Sequence, residues 1–312
     1  MRFHLVTGGA GFIGSHIVEE LVRRGDRVRV LDNFLTGKRD NIAPFLDRIE
    51  LLEGDIRDSD ACRRAVEGVD DVLHQAALPS VPRSIENPVL SHDINVNGTL
   101  NLLRASLEAK VGKFVFASSS SVYGDERRLP QIEGQEGNVL SPYALGKKVG
   151  EMYGSLFFKL YGLKTISLRY FNVFGPRQDP FSQYAAAVPL FVTKFFSGQS
   201  PTIFGDGEQS RDFTFVANVV EANLRALDAP PDASGEVFNI ACGERLSVNA
   251  LAAEIKRLTA ATAAPVHAGP RPGEIRHSFA DISKAARLLG YTPLRSLRDG
   301  LAETVQWYRG RS

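Results

Sequence analysis

Tyr143 and Lys147 stand four residues apart in a stretch that reads as one helix, Ser141 to Leu160. At that spacing two side chains share a helix face, with Cβ atoms about 5–6 Å apart. A free phenol ionises near pH 10, so a tyrosine base working near neutrality must fall by about three units, worth ~4 kcal/mol. A nearby ammonium and a positively charged ring can supply that shift. Such a phenolate would take a proton from a substrate hydroxyl while the hydride on the same carbon leaves for a nicotinamide. A Tyr–Lys pair also arises by chance on exposed helices, so the pair needs a site around it. Ser118 to Ser121 add a cluster of hydroxyls shortly upstream, at the end of an apolar run.

The second chemical signal is Thr7-Gly8-Gly9-Ala10-Gly11-Phe12-Ile13-Gly14. Gly8, Gly11 and Gly14 allow a tight turn, close backbone approach to a pyrophosphate, and packing of helix on strand. A helix opening at Phe12 and Ile13 would offer its N–H groups and partial positive charge to phosphates. Asp32 ends the next apolar run, where a carboxylate accepts from both ribose hydroxyls. That favours NAD over NADP, although Lys38 and Arg39 follow closely. Asp55-Ile56 fits an adenine contact, with an ordinary turn as the alternative.

These residues need positioning elements. Phe3 to Thr7, Arg27 to Leu31, Ile49 to Glu53, Asp71 to Gln75, Lys113 to Ala117 and Lys164 to Arg169 read as strands. Phe12 to Arg23, Asn95 to Ala109 and Ser141 to Leu160 read as helices between them. This alternation predicts an α/β fold, a doubly wound parallel sheet of the Rossmann type, with ligands at the carboxyl ends of the strands. Past Asn172, Pro and Gly become frequent and predict a smaller, irregular α/β lobe. The expected division is residues 1–171 for the dinucleotide domain, with 212–241 returning to it, and 172–211 plus 242–312 for the lobe.

Composition narrows the function classes. The 312 residues carry 37 Lys plus Arg against 36 Asp plus Glu, a net charge of +1 that argues against a nucleic-acid or membrane coat. Two cysteines and six scattered histidines predict neither a disulfide framework nor a metal site. No apolar stretch reaches membrane-span length, and the N-terminus does not read as a signal peptide, so a cytoplasmic protein is expected.

Taken with Asn33, His74-Gln75-Ala76-Ala77, Asn95-Val96-Asn97-Gly98-Thr99, Ser119 to Gly124 and Arg169 to Asn172, the motifs resemble the extended short-chain dehydrogenase/reductase family along essentially the whole chain. Within it the chain resembles the nucleotide-sugar 4-epimerases, closest to those for UDP-N-acetylglucosamine and UDP-glucose. The resemblance implies that Tyr143 is the base, that Lys147 lowers its pKa and holds the nicotinamide ribose, and that Ser119 bonds the sugar O4 with help from Ser120. It implies NAD contacts from Asn33, Thr36, Gly37, Gln75, Ala76, Ala77, Asn95 and Tyr170. Related dehydratases carry Thr-Asp-Glu where Ser119, Ser120 and Ser121 stand, and related decarboxylases carry a glutamate at Ser121. Neither acid is here, which leaves reversible oxidation at C4, rotation of the keto sugar and return of the hydride. Asn218 and Pro79 depart from the pattern, in place of an aspartate and of a lysine near the cofactor.

The resemblance also implies a substrate side: Ser80, Asn172, Val188, Phe204, Arg211, Arg271 and Glu274 around a UDP group. Guanidinium forks suit its phosphates. Counting on from Arg271, Ser278 falls at a gate beside the sugar C2 group, where a small residue leaves room for an N-acetyl group. The expectation is a homodimer, paired through the Asn95 and Tyr143 helices, that acts on N-acetylated and plain UDP-hexoses. A UDP-glucuronate 4-epimerase, with Arg177 at the C6 carboxylate, is the nearest rival. An NAD-binding sensor or scaffold without turnover is the non-enzyme alternative.

Overall fold

The protein is described here by a computed structural model covering residues 1–180, 186–270 and 275–311. Seven strands form one parallel sheet: Phe3–Thr7 (β1), Arg27–Asp32 (β2), Ile49–Glu53 (β3), Asp71–His74 (β4), Lys113–Ser119 (β5), Thr165–Tyr170 (β6) and Glu236–Ile240 (β7). Their order is β7-β6-β5-β4-β1-β2-β3. The order in which strands are added reverses between β1 and β4, which opens a crevice beyond their carboxyl ends.

Alternation along the strands feeds two apolar cores. Val6, Val28 and Val30 face one side, with Ile17, Val18 and Leu21 of the helix Phe12–Arg23 (α1). Phe3, Leu5 and Leu31 face the other, with Cys62 and Ala65 of Ser59–Val66 (α2) and Leu102 and Leu103 of Thr99–Glu108 (α3). Phe157 of the long helix Pro142–Tyr161 (α4) joins that second side, and Val219 and Ala222 of Val216–Asp228 (α5) join the first. The sheet is therefore covered on both faces, as an all-parallel sheet must be. A third core gathers Phe191, Leu251 and Leu301 from the helices Ala187–Phe196, Val248–Thr259 and Leu297–Arg309.

Two local outcomes differ from the sequence reading. The helix expected from Asn95 begins at Asp93 with a π-helical stretch through Gly98 before α3 starts. There the Thr99 hydroxyl donates to the Asn95 carbonyl at 2.8 Å, competing with the regular backbone ladder. Thr214–Phe215 pairs with Val173–Phe174 in a separate two-stranded ribbon, and α5 follows directly after it. The sheet also has a seventh strand that the sequence reading did not name, Glu236–Ile240, paired with β6 from Glu236↔Ile166 to Ile240↔Tyr170.

Phe238 on that strand is fully buried. Phe238→Ala is expected to lower the unfolding free energy by about 3–5 kcal/mol in urea titrations. A loss under about 1 kcal/mol would contradict its place in the core.

Candidate functional site

A cavity of about 660 Å³ opens along the carboxyl ends of the strands. Its floor is the turn between β1 and α1: Gly8, Gly11, Phe12, Ile13 and Gly14 all line it. Gly14 packs so closely that an added Cβ would lie 2.1 Å from the Gly8 carbonyl oxygen. Gly8 has φ +67°, and a Cβ there would meet Ala76 backbone at 2.7 Å. No side chain caps α1 and no acid sits in its first turn, so its positive end is left for a ligand in the cavity.

Asp32, Asn33, Thr36, Gly37, Asp55 and Ile56 line the wall formed beyond β2 and β3. The Asp32 carboxylate accepts from the backbone N–H of Ala10 at 2.9 Å and of Phe34 at 2.8 Å. Burial pushes its carboxyl up, and those two N–H groups pull it back. Asp55 accepts from Asn33 at 2.7 Å and from Arg57, whose guanidinium holds its carboxyl down to about 2.

On the other side the cavity meets Gln75, Ala76, Ala77, Ser80, Tyr170, Tyr143 and Lys147. Three strand spacings separate β2 from β5, about 14 Å at ~4.8 Å per strand. A dinucleotide laid across the strand ends spans that distance. The glycine cradle, the uncapped helix and the carboxylate at the end of β2 thus suit NAD.

The helix α4 is set by Ser141, whose hydroxyl accepts from Ala144 N–H at 3.1 Å. Its first turn is held by the Ser84 hydroxyl, which accepts from Tyr143 N–H at 3.1 Å. Lys147 is buried and donates to the Ala117 carbonyl at the end of β5, at 2.7 Å. Its ammonium lies 5.9 Å from the centre of the Tyr143 ring. Burial pulls the Lys147 amine down to about 7, and the Glu151 carboxylate pushes it back up. Burial raises the Tyr143 phenol, and the neighbouring Ser119 hydroxyl draws it down. Burial outweighs the Ser119 hydrogen bond and leaves the phenol above its ordinary value.

Other expected site residues do not line this cavity. Asn95 does not line the cavity; its amide brackets the Leu78 backbone, accepting at 2.8 Å and donating at 3.3 Å, and so shapes the Gln75–Ser80 loop from behind. Ser119 stands at Tyr143, its hydroxyl hydrogen-bonded to the phenol, while Ser118 is the member of the serine run that lines the cavity. Ser119 begins the turn Ser120–Tyr123, its hydroxyl accepting from Ser121 N–H at 3.2 Å. Asn172, Val188, Phe204, Arg211 and Ser278 are not among its lining residues. Asn172 holds a left-handed backbone (φ 35°) and donates to the Asp212 carbonyl at 3.1 Å. Val188 is buried in the third core. Phe204 ends a short strand beside Val266–Ala268. Arg211 donates to the Ser210 carbonyl at 2.9 Å and the Arg276 carbonyl at 3.1 Å. Ser278 is buried and donates to Gln131 at 3.3 Å. Arg271 and Glu274 lie outside the described residues. Arg177 is engaged by Glu19 and Ser15 of α1.

The sequence reading named Ser118 and Arg169 only within longer motifs, gave their side chains no role of their own, and missed Glu151. Ser118 donates to Glu151 at 2.6 Å, and Arg169 donates to both oxygens of Glu151, at 2.7 and 2.8 Å. The spacing of Tyr143, Lys147 and Glu151, four and four, is the signal that could have found this helix face. Among the described residues no cluster of metal-ligating side chains occurs, and no helix is long and apolar enough to cross a membrane.

Comparison with known proteins agrees with this arrangement. The NAD dependent epimerase/dehydratase family matches residues 4–241. A putative UDP-glucose 4-epimerase of Methanocaldococcus jannaschii is 43% identical over 310 residues, 99% of both chains. The solved UDP-N-acetylglucosamine 4-epimerase of Methanobrevibacter ruminantium, in complex with UDP-N-acetylmuramic acid, is 37% identical with a TM-score of 0.95, covering 100% of this chain and 99% of that one. The UDP-glucose 4-epimerase of Thermus thermophilus, in complex with NAD, is 37% identical with a TM-score of 0.90, covering 99% of this chain and 100% of that one. This chain, with its parallel sheet and its glycine-floored cleft, belongs to the NAD dependent epimerase/dehydratase family.

Proposed function

We propose that this protein is an NAD-dependent UDP-hexose 4-epimerase that works through a 4-keto sugar, acting on UDP-N-acetylglucosamine and, less readily, on UDP-glucose. One observation carries the reading: Tyr143 and Lys147, on one face of α4, share a single cavity with the glycine turn and Asp32. Bound NAD would accept the hydride from C4 and give it back on the opposite face. Gly8, Gly11 and Gly14 would let the pyrophosphate approach, and Asp32 would hold the adenosine ribose. Tyr143 would take the O4 proton and return it, with Ser119 orienting the hydroxyl and Lys147 supplying positive charge beside the phenol. Burial raises this phenol, so the ammonium and the cationic ring must together supply the downward shift.

Ser119, Ser120 and Ser121 offer neither the acid nor the base that elimination needs, which favours epimerisation over dehydration. Asn172, Arg211, Arg271 and Glu274 are the residues proposed for the UDP group, with Val188 and Phe204 near the uracil. The small Ser278 favours an N-acetylated sugar. Arg177 is already spent on Glu19, which weighs against its serving a uronate carboxylate. An exposed apolar row on α4, Leu145, Met152, Leu156 and Leu160, supports pairing with a second copy of the chain.

Tyr143→Phe is expected to lower kcat by at least about a thousandfold while NAD stays bound. Near-normal turnover in that variant contradicts the assignment. Assayed side by side, UDP-N-acetylglucosamine is expected to exceed UDP-glucose in kcat/KM, with UDP-glucuronate last. Ser278→Tyr should cost the N-acetylated sugar at least about tenfold more than the plain one; equal losses would reject the gate. Sedimentation should give twice the 34.1 kDa chain mass. Leu156→Glu should return it to one chain, and a wild-type protein already at that mass refutes the dimer.

A further inference from the structure

Arg169 is the largest fully buried side chain of the fold, and it is charged. Its side chain is 1% exposed and that of its partner Glu151 is 3% exposed. Burying such a pair costs more solvation than a surface bridge returns, and apolar side chains of the same size would serve stability as well or better. Its position gives the charge pair another use. Tyr143, Lys147 and Glu151 repeat at four-residue spacing along α4. Consecutive residues at the end of β5 receive two of them: the Ala117 carbonyl takes the Lys147 ammonium at 2.7 Å, and the Ser118 hydroxyl donates to Glu151 at 2.6 Å.

We infer that Glu151, fixed by Arg169 and Ser118, is a positioning residue of the reaction, whose buried carboxylate keeps Lys147 charged and holds the Tyr143 face of α4 against the end of β5. This rests on the epimerase reading of Tyr143 and Lys147. Charges face the pair from several elements. From β6 comes Arg169, which also lies 4.8 Å from the centre of the Tyr123 ring. From the loop before α4 comes Glu136, bridged to Arg169 and, at 3.1 Å, to Lys148. On α4 itself Lys148 stands 3.8 Å from Glu151. From β4 comes His74, pinned between the Thr7 and Thr99 hydroxyls at 2.7 and 3.0 Å and held down to about 3 by burial and by Lys147, hence neutral. Glu133, from the same loop as Glu136, also faces Arg169, so the carboxylates Glu151, Glu136 and Glu133 stand against the cations Arg169, Lys148 and Lys147. Removing the Glu151 charge leaves an excess of positive charge around an amine that burial already discourages from holding its proton.

The test is the alkaline limb of kcat against pH, read beside the ionisation of Lys147 by lysine NMR, with Lys147→Met to assign the signal. In Glu151→Gln both should move down by about one pH unit, roughly tenfold in kcat above the limb, with KM for the UDP-sugar within about twofold. Glu151→Asp should recover part of the shift. Since removing one member of a buried pair can unfold a chain, the double variant Glu151→Leu/Arg169→Met carries the same test with the pair made apolar. It should fold, retain NAD and keep the lowered limb. A wild-type limb and a wild-type Lys147 titration in either folded variant overturn the inference, as does a fall in kcat with the limb unmoved. Turnover in Tyr143→Phe would instead remove the epimerase reading itself, so the two failures are distinguishable.

Discussion

The whole site hangs on how α4 is fastened to the end of β5. A buried ammonium and a buried carboxylate are costly unless each finds partners. Here Lys147 finds the Ala117 carbonyl, and Glu151 finds Ser118 and Arg169. Those bonds fix the rotation of the helix about its axis. Tyr143, one turn before Lys147, is thereby turned toward the strand ends, where the cavity runs. Beyond this fastening, α4 is held by the Ser84 contact at its first turn, by the Lys148–Glu136 bridge and by apolar packing.

The sheet supplies the other half of the arrangement. Reversal of strand order between β1 and β4 opens the crevice, and the glycine turn lets a ligand lie directly on backbone there. Small polar networks then hold the loop ends. The Tyr170 hydroxyl lies 3.2 Å from Gln75 and accepts from Asn223 of α5 at 2.8 Å, joining β6, the loop after β4 and α5 below the cavity. Asn95 does the same for Leu78. These groups keep the walls rigid, as a reaction that must release and recapture a hydride requires of its site.

What could be read from the sequence was local. The glycine turn, the carboxylate at the end of β2 and the Tyr143–Lys147 spacing each lie within one element, and each lines the cavity. What could not be read depends on distant partners. Arg169 and Glu151 meet from β6 and α4, and no short motif announces the pair. Ser278 meets Gln131 across 147 positions, and Arg177 meets Glu19 across 158, so neither contact follows from spacing. The serine run could not be resolved residue by residue, because which hydroxyl faces the cavity depends on where β5 ends. Glu236–Ile240 escaped notice as a strand because five residues with a charged first position and an Asn at the fourth carry little periodic signal.

The account makes oxidation and reduction two halves of one event at a single carbon, with no hydrogen lost to water between them. The most direct measurement follows a UDP-N-acetylglucosamine carrying deuterium at C4 through turnover by proton and deuterium NMR. The account predicts that the inverted sugar keeps the deuterium on C4 and that no reduced cofactor accumulates. Inverted product carrying solvent hydrogen at C4, or conversion of the sugar without inversion, would contradict it.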